Sequence, residues 1–294
     1  MSKSPDGTAA SDTRDLEHRL DALQLLPSGA VRRTPNWWSG VWPPAVAVLL
    51  LLTIWQTYCA IAQPRPDLYP SVFDVASAIG ANWDSGRLPA ALLTSLTRGG
   101  LGFVYAIILG TIIGFLLVEV PLLRRAFGPI ISGLQVLPSV AWVPAAILWF
   151  GLTDATVYFV ILMGAVPSIA NGLVDGIRQV PSHIRRVGVV LGAGPVALHR
   201  YVLFPAALPG YLAGLRQGWA FAWRSLMAAE IIATGGKLGF GLGSLLQQNR
   251  ELADLPGVLA TVLTILALGI VIEVGVFTPI QRRVLLRRGL TEAR

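Results

Sequence analysis

The sequence predicts an all-α integral membrane protein with six transmembrane helices, and three observations predict it. Of 294 residues, 54% are hydrophobic and 13% charged, against about a quarter charged in an ordinary soluble domain. The apolar residues gather into six stretches close to the ~20 residues that a helix needs to cross a bilayer core. The basic excess, 23 Lys and Arg over 16 Asp and Glu, falls in short segments between those stretches, as topology signals do. That layout speaks against nucleic acid as a partner.

Taken in order, residues 1–40 are polar, rich in Ser, Asp and Arg, and lack the charged, apolar, small-residue layout of a cleavable signal. They read as a cytosolic tail, partly disordered, with an amphipathic helix possible over 15–26, where Leu16, Leu20 and Leu23 recur at helical spacing. The first span, "VWPPAVAVLLLLTIWQTYCAI", covers 41–61, and Trp37, Trp38 and Trp42 stand where an interfacial aromatic belt belongs. Cys59, the one cysteine, lies inside it and can form no internal disulfide. A loop over 63–95 follows, with Pro64, Pro66 and Pro70 and then the amphipathic "VFDVASAIGANW". The second span covers 101–120, with a start as early as 96; the third covers 129–150 and the fourth 156–173. The fifth, 206–233, is the least apolar, and the sixth is 258–280. The membrane domain is thus 41–280, and residues 281–294 form a basic tail.

Six spans put both ends on one side, and charge decides which, because short cytoplasmic loops collect Arg and Lys. With the tail inside, the inside segments hold Arg32 and Arg33, Arg124 and Arg125, Arg178, Arg185, Arg186 and Arg200, then Arg282, Arg283, Arg287 and Arg288. The outside segments hold Arg65, Arg87, Lys237 and Arg250. Both termini are therefore expected in the cytoplasm.

Residues 174–205 then form the longest inside loop after the tail. Pro181 and Pro195 suit the first turns of two short helices, Gly192 and Gly194 suit the turn between them, and Pro205 is expected to stop the second. A sharp turn between stiff helices needs a residue that tolerates positive φ, and Gly192 is the first candidate with Gly194 the alternative. On spacing alone the loop is either a plain connection or a docking surface.

Polar residues inside the spans mark the interior. Arg216, Arg224 and Glu230 lie in span five, where a charge is costly unless it faces the bundle or a cavity. Arg216 can snorkel to the interface. Arg224 lies deeper and either makes an ion pair or hydrogen bonds to neighbouring helices, Glu230 among the candidates, or meets a ligand, its guanidinium fork suiting a pair of oxygens. Gln135, Pro138, Ser139, Trp142 and Pro144 in span three, and Pro167, Ser168 and Asn171 in span four, interrupt the apolar runs. Freed backbone carbonyls must be satisfied within protein or a wet cavity, so these helices either line a path or pack closely.

Reaction chemistry is missing. The nearest approach to a phosphate-binding loop, "ATGGKLGFG", has Leu238 after Gly236 and Lys237, where a magnesium-binding hydroxyl is needed, and Ile231 where the first glycine belongs. His18, His183 and His199 are joined by no cysteine or acidic cluster in the sequence, so no metal site is expected. No nucleophile elbow or paired catalytic carboxylates stand out.

Gly192, nine residues, Val202, one residue, Phe204 and Pro205 fit the G, nine residues, I, one residue, L, P pattern of binding-protein-dependent ABC importer permeases, with Val for Ile and Phe for Leu. "YPSVFDVASAI", "SLTRGGLGF", "QVLPSVAWVPAAILWFGL", "LFPAALPGYLAGLRQGWAFAWRSLMAAEIIA" and "GFGLGSLL" resemble the sulfonate, taurine and nitrate group of that family over residues 68–285. The chain departs from it at Arg186, Val187 and Gly188, where the family has Glu-Ala-Ala. The resemblance implies a type I ABC importer permease fold in a bacterial cytoplasmic membrane. It makes residues 181–204 coupling helices that dock on a separate ATPase, present in two copies, with Arg185, Arg186, Gly192, Gly194, Pro195, His199, Arg200 and Pro205 as the coupling residues. ATP would bind that partner, and this chain would hold no cofactor. An extracytoplasmic substrate-binding protein would dock outside, and a second permease copy would complete a homodimer. Gln135, Ser139, Trp142, Ser168, Asn171, Arg224 and Glu230 become pathway candidates. The cargo expected is a small oxyanion, an aliphatic sulfonate first, with taurine, nitrate, bicarbonate or a vitamin precursor as alternatives. A carrier driven by an ion gradient would instead want two broken spans in corresponding halves and buried coupling acids, and no internal repeat of that kind is evident.

Overall fold

The computed structural model describes residues 37–62, 65, 68–236 and 238–287. The stretch over 15–26, His18, Arg32, Arg33, Pro64, Pro66, Lys237 and the chain from Arg288 lie outside the described residues.

Everything described is helix or connection. α1 (Trp37–Ala62) carries Pro43 and Pro44 in its first two turns. It touches the rest chiefly at its far end, where Trp55 Nε1 donates to Pro70 O at 3.2 Å and Val72 N donates to Gln56 Oε1 at 3.2 Å. Cys59 is half-buried there, its thiol 3.8 Å from Pro70 O. α2 (Val72–Asp84) is the amphipathic segment, opened by a capping box in which Ser71 Oγ accepts from Asp74 N and Asp74 Oδ2 accepts from Ser71 N. Gly86 at φ +74 turns the chain into α3 (Arg87–Glu119), whose 33 residues are ~50 Å of helix, longer than a bilayer core. The span therefore begins well before residue 96: Ser95, Arg98, Gly99 and Gly102 interrupt the apolar run but are buried against neighbouring helices, where their polarity is satisfied.

α4 (Pro121–Val136) and α5 (Val143–Phe150) are joined through Leu137, Pro138 and a 3₁₀ turn at Ser139–Trp142, and bend by 100° relative to each other. The third span thus starts at Pro121, ahead of the expected 129, and is broken rather than continuous. Pro138 cannot donate the hydrogen bond that would carry the helix through. After Gly151 (φ +69) comes α6 (Asp154–Arg178). α7 (Ser182–Val190) and α8 (Pro195–Ala197) follow, and α8 runs through a π-helical stretch, Leu198–Leu203, directly into α9 (Phe204–Ile232). Pro205 therefore does not stop a helix. Phe204 N–H donates to His199 O, five residues back; the widened turn takes in the proline that a regular helix would exclude. α10 (Leu242–Glu251), α11 (Leu255–Ile272), a second π-helical turn at Glu273–Phe277 and α12 (Thr278–Leu286) complete the chain.

Four of these helical stretches are long and apolar enough to cross a membrane, and the bent pair α4 and α5 makes a fifth. α9 has the length, 29 residues, and is made more polar by Arg216, Arg224 and Glu230 among others, so the arrangement is approximately that of the six expected spans. At one end of the bundle lie α7, α8 and the join between α3 and α4; at the opposite end lie Gly151 and the segment from Ala233 to Gly241. These are called the loop end and the far end below.

The core is the crossing of α6 with α9, flanked by α3. Val157, Val160, Ile161, Ile169 and Leu173 of α6 are fully buried. Lipid is as apolar as these side chains, so close packing must drive the association. Glycines supply it: a Cβ at Gly172 would stand 2.4 Å from the Cα of Gly214, and one at Gly210 would stand 2.6 Å from the Cα of Gly176. The two backbones touch, and no side chain fits between them.

Candidate functional site

Beside that crossing, toward the loop end, lies a cleft of about 630 Å³ between α4, α6 and α9, the size of a small-ligand site. Ser132 and Gln135 face it from α4, Ser168 and Asn171 from α6, and Gln217 from α9. Asn171 Nδ2 donates to Gln135 Oε1 at 2.8 Å and lies 3.4 Å from Ser132 Oγ. Ser168 Oγ is buried and has no hydrogen-bond partner among the described residues. Arg124, Arg178 and Asp175 stand at the mouth. The lining is thus neutral and polar, with charge confined to the entrance.

The break in span three closes the deep side of this cleft. Ser225 of α9 donates to Ser139 Oγ at 2.7 Å, and a Cβ at Gly164 would fall 2.3 Å from Ser225 Oγ. Only glycine there leaves room for the Ser225 hydroxyl that meets the broken segment. Trp142 packs edge-on against Phe159, centroids 6.1 Å apart. A second cavity of about 290 Å³ lies here, walled by Gln135, Pro138, Ser139, Gly164, Phe221 and Arg224. Gln135 is common to both. Arg224 is exposed within the chain; its Nε donates to Ala220 O at 3.0 Å and its Cζ lies 4.9 Å from the Phe221 ring centroid.

Glu230 does not pair with Arg224. It is fully buried and takes Arg98 Nη1 at 3.2 Å, Ser95 Oγ at 2.7 Å and Gly243 N at 3.0 Å. Arg98 also reaches Asp154 at 2.7 Å through Nη2 and Gly239 O at 3.0 Å through Nη1. This far-end network joins α3, α6, α9, α10 and the segment before α10. Arg216, near the middle of α9 rather than at the interface to which it was expected to snorkel, pairs with Glu273, and its Nη1 lies 3.3 Å from Gln281 Oε1.

The segment between α6 and α9 is a helix, a glycine turn and a second helix. Gly192 takes φ +83, while Gly194 is outside the positive-φ region. Gly192 N donates to Val189 O at 2.9 Å and Ala193 N to Gly188 O at 3.0 Å, the paired bonds of a Schellman stop. Gly188 is buried, and a Cβ there would lie 2.7 Å from Leu198 Cδ1. Glycine at this position thus lets the two helices close up. Pro195 opens α8, and Pro205 lies in the first turn of α9. His199 Nε2 lies 3.2 Å from Glu119 Oε1 at the end of α3. Arg200 lies over the Tyr201 ring at 5.8 Å, and Arg185 and Arg186 are exposed. Val187, Val190, Leu191, Val196 and Tyr201 are all more than half exposed, an apolar face with Arg beside it. Among the described residues no group of His, Cys, Asp and Glu could hold a metal ion.

A family model described as "binding-protein-dependent transport system inner membrane component" matches residues 106–283. The chain belongs to that family. The chain is 32% identical over 205 residues to the nitrate import permease protein NrtB of Synechocystis sp., covering 67% of this chain and 74% of that one. The taurine transport system permease protein TauC of Escherichia coli is 28% identical, with 80% of this chain and 85% of that one covered. The bicarbonate transport system permease protein CmpB of Synechocystis sp. is 30% identical at the same coverage, 80% and 85%. In solved structures the fold is that of inward-facing MetNI methionine ABC transporters: TM-scores are 0.55 and 0.56 at 20% identity, covering 65% and 67% of this chain and 93% and 95% of those.

The type I importer fold that the resemblance implied is the fold of this permease. Its matched region takes in both cavities and the polar loop. Sequence reasoning missed Arg98, Ser95 and Asp154, which hold Glu230 in place. A signal was available: an arginine inside a buried stretch demands a partner, and Glu230 is one of the few acids that fall inside a span.

Proposed function

We propose that this permease is the membrane subunit of an ATP-driven importer that brings a small oxyanion, an aliphatic sulfonate first, into the cell. The observation that carries the reading is the neutral, hydrogen-bonding cleft over Ser132, Gln135, Ser168, Asn171 and Gln217, with a guanidinium beyond the break. An anion stripped of water needs donors, and amides and hydroxyls provide them without binding too tightly to release. The names of the relatives support it, since nitrate, bicarbonate and the sulfonate of taurine are all small oxyanions. Nitrate, taurine and bicarbonate are therefore the alternatives within the same chemistry.

The energy comes from a separate ATPase, two copies of which dock on residues 181–204, and the exposed apolar face with Arg185 and Arg186 suits such a surface. This chain supplies no ATP site: Leu238 stands where the phosphate loop needs a hydroxyl. A substrate-binding protein docks at the far end, and a second copy of the chain encloses the path. The Arg-rich loop end faces the cytoplasm with both termini.

The test is purification from the native host with its bound partners, reconstitution in vesicles with ATP, and uptake of labelled ethanesulfonate, taurine, nitrate and bicarbonate. ATP-dependent uptake of at least one is expected. Uptake of none, with an ATPase present and active, overturns the oxyanion reading; uptake driven by an ion gradient without ATP overturns the coupling.

A further inference from the structure

We infer that Arg224 is the anion-recognising group of the path, set just beyond the break in span three, so that cargo passes from its guanidinium to the neutral donors of the cleft. This rests on the reading that the cargo is a small oxyanion.

The other charges of α9 and those of the far-end network are committed, while Arg124, Asp175 and Arg178 stand at the mouth of the cleft. Glu230 and Asp154 hold Arg98, and Glu273 holds Arg216. Among the described residues Arg224 has no ion pair, and its Nη groups have no hydrogen-bond partner. It lies on α9 about 12 Å, or eight residues, before the far end of the helix, a depth at which an uncompensated charge is costly unless it faces a wet cavity or a counter-charge.

The guanidinium is also aimed. Its Nε is tied to Ala220 O at 3.0 Å and its plane lies by Phe221, 4.9 Å from Cζ to ring centroid, which leaves the Nη pair as the free edge. Two parallel N–H groups match two oxygens of a sulfonate, nitrate or bicarbonate, a geometry that an ammonium cannot reproduce. The cavity in front of them shares Gln135 with the cleft, so one side chain separates the charged station from the neutral one. Two stations of unequal strength let an ion enter and still leave.

The experiment uses the complete reconstituted transporter. Arg224→Gln is expected to lower oxyanion uptake per ATP hydrolysed about ten- to a hundredfold, with Arg224→Lys in between, as charge-assisted hydrogen bonds are lost or made monodentate. Co-purification with the ATPase and the second copy controls for assembly. Because Cys59 is the one cysteine, Arg224→Cys with Cys59→Ala gives a single thiol, and attaching a cationic ethylammonium group to it is expected to restore part of the uptake, whereas a neutral methyl group is not. A packing role would not distinguish the two reagents. Normal uptake by Arg224→Gln overturns the inference and leaves the oxyanion reading standing. Assembly lost on substitution, or an assembled thiol variant that the cation does not rescue, also overturns it, making Arg224 a structural tie. Absence of oxyanion uptake by the unaltered protein overturns the reading and the inference together.

Discussion

Arg98 and Glu230, 132 residues apart in the chain, meet at 3.2 Å with side chains 5% and 0% exposed. The pair is held by donors on both sides: Ser95 and Gly243 N for the carboxylate, Asp154 and Gly239 O for the guanidinium. Removing Arg98 leaves Glu230 without a counter-charge, whereas removing Glu230 leaves Arg98 still paired with Asp154. Arg98→Met is therefore expected to cost about 3–5 kcal/mol, the penalty for an unpaired buried charge, and Glu230→Leu less. Arg98→Met with Glu230→Leu is expected to recover much of that, because Asp154 is half-exposed and tolerates release. Thermal unfolding in detergent of both singles and the double variant measures the coupling; additive losses would show that the pair does not act as a unit.

The α6–α9 crossing makes a different demand. Gly172→Ala places a methyl 2.4 Å from the Gly214 Cα, so the helices must part, at about 1–3 kcal/mol for an overpacked contact. Gly80→Ala is the control: it lies in α2 with nothing within 4 Å of an added Cβ, and exposed helix gains roughly 0.5–1 kcal/mol from that change. Melting temperatures should move in opposite directions.

At Gly192 the demand is on the backbone alone. Its φ is +83 and an added Cβ meets nothing within 4 Å, so Gly192→Ala pays about 1–2 kcal/mol of left-handed strain and Gly192→Val more. The expected result is normal membrane insertion with ATP hydrolysis uncoupled from uptake, read as cargo moved per ATP. Gly194→Ala, outside that region, should leave the ratio nearly unchanged.

Acid should loosen the start of α2. The hydroxyl of Ser71, and then its backbone N–H, hold the Asp74 carboxyl below the usual carboxylate range. A depressed folded value gives a contribution that is complete above the ordinary carboxylate pKa and lost as pH falls through the folded one. Amide exchange in the first turn of α2 should speed up over that acid window. Asp74→Asn should flatten the dependence, and an unchanged profile would exclude the cap as its source.

How much could be read in the sequence depended on the range of the cause. Gly192 was legible because a helix stop is local: its bonds reach back only to Val189, with Ala193 reaching Gly188. Pro138 announced a disturbance in span three, but a bend of 100° depends on Ser139 meeting Ser225, far along the chain. Arg98 and Gly172 owe their roles to partners on other helices, which periodicity does not reveal. Pro205 misled for a subtler reason, since a proline stops a regular turn but not one already widened.

Each widened turn carries one residue more than a regular helix would, and one residue is about 100° of rotation. The faces of α8 and α9 are therefore out of phase across Leu198–Leu203, as are those of α11 and α12 across Glu273–Phe277. A helical wheel drawn straight through Pro205 places His199 on the wrong side of the rod. Deleting a single residue from Leu198–Leu203 would leave the rod helical yet swing His199 away from Glu119: here azimuth is encoded by chain length rather than by side-chain chemistry.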